Sequence, residues 1–164
     1  MADTKTMQEQ FTALALDAPS SYRGVIGSMV EQVEKISKAA TGEEESRYAQ
    51  YTLGDMRANV AAGVDTYAAF QPWLLTKGAE GEAADAEILA GFDRLEAGYA
   101  AIQGDALPPV PEGWSSENPT AAQLETPFGR LFSLVAAESD ETSEGALVRV
   151  MLESAALLGI EELP

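Results

Sequence analysis

Apolar residues along this chain recur three or four apart, and no long segment alternates with the period of two that a half-buried strand requires. Met7, Phe11 and Leu14 make a short first stripe after Asp3 and predict an N-terminal helix within residues 1–20. Tyr22, Ile26, Met29, Val33 and Ile36 line a second helix, expected to end near Ala39 or Ala40, before the turn at Thr41-Gly42. Leu53, Met56, Val60, Val64, Tyr67, Phe70 and Leu74 line the third and longest. Pro72 falls in its last turns, where a missing donor predicts a kink or an end, and Gly78 and Gly81 open a flexible break beyond. Ile88, Phe92, Leu95, Tyr99 and Ile102 give the cleanest stripe, with Gly104 suited to close it in the left-handed conformation.

The stretch 105–119 then carries four prolines without helical spacing, so it reads as a loop, with Val110 and Trp114 available to tuck against the helices. Thr126-Pro127 has the form of an N-cap followed by a first helical proline, and Phe128, Leu131 and Val135 continue on one face. The polar turn ESDETSEG precedes a last helix lined by Leu147, Val150 or Met151, Ser154 and Leu158, and closed by Gly159. Five to six amphipathic helices with short connections predict an all-α, antiparallel up-and-down bundle, forming one domain over residues 1–164. Either two short helices join four longer ones, or the C-terminal pair completes the bundle. Periodicity does not choose between them.

Charge narrows the partners. The 27 acidic and 10 basic residues leave a net charge of −17, which repels nucleic-acid phosphates and anionic lipid headgroups. Cations and basic proteins are the favoured counterparts, although acidity also serves solubility alone. With no cysteine and no histidine, disulfides, thiolate sites, Ser-His-Asp and Cys-His arrangements and the common zinc hydrolase sites are excluded. The glycines are scattered singly, so no phosphate-cradling loop is present, and hydrolysis is not expected. No apolar run is long enough to span a membrane, so no insertion is expected. The first residues, MADTKTMQEQF, lack the basic and apolar regions of a signal peptide.

Candidate chemistry gathers between Gly42 and Asn59. Glu43, Glu44 and Glu45 supply hard oxygen ligands suited to iron, calcium, magnesium or manganese, with Asp55 as a fourth carboxylate if Gly42 turns the chain sharply. The same glutamates also suit the start of a helix with no ligand involved. Asp55 and Asn59 lie one turn apart on one helix face, and with Arg47 they suggest a polar clasp; Arg57 is another possible partner for Asp55. Alternatively Thr52 is an N-cap and Asp55 the third-position acid of a capping box. Tyr67 and Tyr99 occupy stripe positions and are expected in the core, whereas Trp73 and Trp114 lie near prolines.

The stretch GEEESRYAQYTLGDMRAN resembles the hinge of the C-terminal half of imelysin-like proteins, the family of the EfeO-type bacterial iron-uptake component. Arg47, Tyr48, Leu53, Asp55, Ala58 and Asn59 coincide with the family string, while Gln50, Thr52, Gly54 and Met56 stand where it has His, Asp, Trp and Phe. YRGVIGSMVEQVEKISKAA, DTYAAFQPWLLTKG, AEILAGFDRLEAGYAAI and LETPFGRLF are similar to neighbouring family helices. The resemblance implies a non-catalytic domain of a periplasmic or extracellular iron-uptake system. Glu43, Glu44, Glu45 and Asp55 would be its metal contacts, for iron or another divalent cation. The implied partners are the metal ion and either an N-terminal imelysin half or an uptake-system protein. The alternative is an interaction bundle that pairs with such a half or another protein and binds no metal.

Overall fold

A computed structural model describes residues 17–43 and 48–160. Residues 1–16, with the predicted first helix, lie outside that description. Six helices and no strands are present among the described residues: α1 Ala18–Thr41, α2 Thr52–Leu75, α3 Ala79–Ala100, α4 Ala121–Leu124, α5 Pro127–Glu138 and α6 Leu147–Leu158. The protein is an all-α helical bundle. No described helix is long and apolar enough to cross a membrane.

The helices start and stop where side chains satisfy their orphan backbone groups. Asp17 caps α1 by accepting the Ser20 amide at 2.8 Å, and Gly42 ends that helix at φ 76°. Thr126 caps α5 through the Gly129 amide at 3.0 Å, with Pro127 as the first helical residue, as the sequence predicts. Thr120 and Gln123 form a reciprocal capping box around the four-residue α4, which no apolar stripe announces. Pro72 stays inside α2, whose last residue is Leu75. The expected break at Gly78 and Gly81 is shorter than predicted. Only Gly78 lies outside α3, whereas Gly81 is buried in its first turn, where a Cβ would collide with the Leu74 carbonyl.

Pairs of contacting residues set the topology. Tyr22 meets Phe70 edge-on at 4.9 Å, and Gly63 lies against Met29, so α1 and α2 run in opposite directions. Tyr67 reaches Asp85, and Arg57 reaches the Tyr99 carbonyl, so α3 reverses again. On the other side of α3, Gly98 faces Leu134, Arg94 holds Glu138, and Gly91 packs against Leu147. Ser139 reaches Met29, and Ser154 reaches Tyr22, on α1. Together α5 and α6 therefore form one interrupted rod that runs against both α1 and α3. The C-terminal pair completes the bundle: each half has 12 residues, and the two together match the 24 residues of α1 and of α2.

Leu53, Met56, Leu74, Ile88, Phe92, Phe128, Val135, Leu147 and Met151 are among the fully or almost fully buried core residues. Trp114 carries the proline-rich loop onto this core, edge-on to Phe128 at 5.0 Å and Phe132 at 5.1 Å. Tyr67 and Tyr99 are buried as expected, and each polar group among them has a partner. Tyr22 shares a 2.5 Å hydrogen bond with Ser154, Tyr67 donates to Asp85 at 2.6 Å, and Tyr99 donates to Gln32 at 3.1 Å. A buried hydroxyl costs free energy unless it is paired, so these bonds also fix how the rods register against one another.

Candidate functional site

One end of the bundle brings together the C-terminus of α1, the entry to α2 and the start of the proline-rich loop. Ala39, Gly42, Tyr48, Gln50, Thr52 and residues 107–110 surround a cleft of about 350 Å³ there. Tyr48 is 87% exposed, and Tyr51 and Val110 also present apolar surface to solvent. Gln50 adopts φ 52°, a left-handed conformation that costs an ordinary L residue about 1–2 kcal/mol. Strain of this kind persists only where surrounding contacts impose it, and it gathers at ligand-facing sites.

The wall of the cleft is fastened by Arg57. Its Nη1 donates to the Gly104 carbonyl at 2.6 Å and to Asp105 Oδ1 at 3.0 Å. Its Nη2 donates to the Tyr99 and Ile102 carbonyls at 2.8 and 2.7 Å, which closes the carboxyl end of α3. In return the Asp105 carbonyl accepts the Gly54 amide at 3.1 Å, one of the orphan donors of α2. Each end thus caps the other. Replacing Arg57 with Ala should lower stability by about 2–3 kcal/mol, because several charged hydrogen bonds to the carbonyls that end α3 are lost together. It should also speed hydrogen exchange at the Gly54 amide; Lys at 57 should restore less than half, since an ammonium cannot reproduce the fork. Urea unfolding and amide exchange measure both effects.

The predicted site residues are placed unevenly. Glu43 is exposed just past the Gly42 turn, with its amide on the Lys38 carbonyl at 2.9 Å. Glu44, Glu45 and Arg47 lie outside the described residues. Asp55 and Asn59 are both half-buried on the first turns of α2, as their spacing suggests. Arg57 does not complete a clasp with Asp55, because its guanidinium is taken up by the end of α3 and by Asp105. The Thr52 capping box does not form either. Thr52 is the buried first residue of α2, and Tyr51 occupies the cap position without a side-chain cap bond. A Cβ on Gly54 would lie 2.5 Å from the Tyr51 ring, so glycine is what lets that ring fold back over the helix start.

Among the described residues, no three acidic side chains are grouped to hold a metal ion. Comparison with protein-family models, curated proteins and solved structures finds no match. The resemblance to imelysin-like proteins finds no support in these comparisons. Sequence reasoning missed the second wall of the cleft, residues 107–110, because a proline-rich loop carries no periodicity to say where it lands. The only available signal was the run of apolar and proline side chains from Leu107 to Pro111.

Proposed function

We propose that this chain is a non-catalytic interaction bundle whose binding end is the cleft between the start of α2 and the proline-rich loop. The observation that carries this reading is the exposed Tyr48, beside Tyr51 and Val110, on an otherwise strongly acidic molecule. Aromatic rings next to prolines on an acidic molecule suit a basic segment of a partner protein, whose cations stack on the rings while the net charge speeds encounter. A second reading follows from Glu43, exposed just past the Gly42 turn at φ 76°, at the end of the bundle where α2 carries Asp55. It is a carboxylate-bound iron or calcium site in an imelysin-like domain acting outside the cytoplasm.

One titration series separates the two. A decamer of alternating Arg and Pro should bind, and Tyr48→Ala should weaken it about thirtyfold, the usual threshold for a dominant interface residue. Leu89→Ser, an exposed apolar residue on α3, should leave the affinity unchanged. Equal losses from both substitutions would mean only diffuse charge attraction and defeat the interaction reading. Calorimetry with ferrous, ferric and calcium ions should give no saturating heat on this reading. Stoichiometric heat abolished by Glu44→Ala and Asp55→Ala would establish the metal reading instead.

A further inference from the structure

A second, larger opening lies away from the cleft, on the face shared by α1 and α6, with a volume of about 790 Å³. Ile26, Val30, Leu152 and Ile160 give it apolar sides, and Gly27 leaves its floor open on α1. A Cβ at Gly27 or at Gly24 would meet nothing within 4 Å. Two exposed glycines inside a helix cost stability and serve no contact within the bundle, yet they let another backbone approach closely. Arg23, Gly27 and Glu31 are four residues apart on one ridge of α1, and all three line the groove. The two charges stand about 12 Å apart along the axis, too far to pair with each other. Neither has an ion-pair partner among the described residues, and Arg23 Nε is buried without a hydrogen bond. The charges of α6 and the turn before it keep the same sense. Glu153 adjoins Ser154, which bonds Tyr22, so it lies at the Arg23 end, but Arg149 neutralises it at 2.6 Å. Glu141 lies just beyond Ser139, which bonds the Met29 carbonyl, toward the Glu31 end. One end of the groove therefore carries a net positive charge and the other a net negative one.

We propose that a second copy of this chain closes the groove, with the two α1 helices crossing antiparallel about a two-fold axis at Gly27. A two-fold contact is self-complementary, so each residue meets the one equally far beyond the axis. Around Gly27 that sets Arg23 against Glu31 of the partner subunit, twice over, and seats Val30 in the open space at Gly24. A parallel crossing would bring like charges together, so the order of charges along α1 selects the antiparallel one. The Gly42 ends of the two helices then point away from each other, each about 22 Å from the axis, and both clefts stay open.

Sedimentation velocity on the full chain at about 0.15 M salt tests this. There the Debye length of about 8 Å screens the repulsion between two acidic chains but not contacts at pairing distance. A reversible dimer should form. Gly27→Leu should abolish it while leaving the monomer at least as stable to urea, since the added side chain blocks the approach and suits a helix better. Arg23→Glu and Glu31→Arg should each weaken the dimer at least about tenfold, although they change the net charge in opposite directions. An equimolar mixture of these two variants should recover it, because every reversed charge then meets its opposite across the interface. A monomer at every concentration would overturn the proposal and leave the groove to a different protein or a small molecule. A dimer indifferent to Gly27→Leu, or no recovery on mixing, would overturn it equally.

Discussion

Stability should fall steeply as the pH rises from about 10 to about 12, because three buried phenols are held neutral in the native state while they ionise in the unfolded chain. Burial pushes the Tyr22 hydroxyl from an ordinary 10.0 up to about 12, against the lowering effect of its bond to Ser154. Burial also raises Tyr67, helped by its hydrogen bond to the Asp85 carboxylate and by that charge, and burial raises Tyr99. In each case the folded value lies above the unfolded one, so the neutral phenol favours the native state. That contribution is complete below about pH 10 and disappears as the pH climbs through the folded values. Each tyrosine costs about 1.4 kcal/mol per pH unit in that window, so three together cost about 4. Across the window the loss amounts to several kcal/mol, a large share of the stability of an ordinary domain. Urea midpoints measured across this range should fall accordingly, and Tyr99→Phe should remove about a third of the slope. A midpoint that stays level to pH 12 would mean that the phenols reach water in the native state.

The second large effect is expected at the break in the fourth rod. Glu138, the last residue of α5, has a side chain only 7% exposed. It accepts from Arg94 Nη2 at 2.9 Å and from the Leu147 amide at 3.0 Å, and Arg94 Nε also donates to it. Arg94 Nη2 continues to the Gly145 carbonyl at 3.0 Å, on the far side of the interrupting turn. The pairing with Glu138 raises the Arg94 guanidinium further above its ordinary value, outweighing partial burial. Arg94→Ala would leave a buried carboxylate facing a protein interior, and removing one partner of such a pair costs about 3 kcal/mol or more. Thermal unfolding should shift down by roughly 8 °C for a chain of this size. Glu138→Ala should cost less, about 2 kcal/mol, because Arg94 is 43% exposed and recovers water. The double substitution should then cost clearly less than the two single losses added. Strict additivity would show that the pair is not coupled.

Periodicity made three of the rods legible. The stripes at Tyr22–Ile36, Leu53–Leu74 and Ile88–Tyr99 coincide with α1, α2 and α3, because an apolar face one turn deep needs only local spacing. The Thr126-Pro127 and Gly159 boundaries were equally plain, since capping chemistry is also local. What stayed hidden depends on distant partners. Ser154 falls within an apolar stripe for the sake of Tyr22, 132 residues away in sequence. Gln32 and Asp85 are buried for the sake of other tyrosines. The fusion of α5 and α6 into one rod cannot be read from either stripe, because an apolar face does not name the helix it meets.

At the candidate site, the turn at Gly42 and the shared face of Asp55 and Asn59 were readable, whereas the role of Arg57 was not. The predicted Thr52 cap fails for a related reason. Thr52 lies inside the first turn of α2, and the distant Asp105 carbonyl takes the Gly54 amide.

The Glu138–Leu147 junction also has a geometric consequence. A continuous α-helix fixes the angular phase of every residue once its first turn is placed, since each amide is tied to the carbonyl four residues back. Residues 139–146 sever that link, and Asp140 restores order on its own terms by accepting from Thr142 and Ser143. The two halves of the rod therefore need not share one angular phase, and the bonds from Leu147 to Glu138 and from Arg94 to Gly145 set the phase that is adopted. Leu131 and Val135 can aim at the centre without dictating where Leu147, Met151 and Ser154 point.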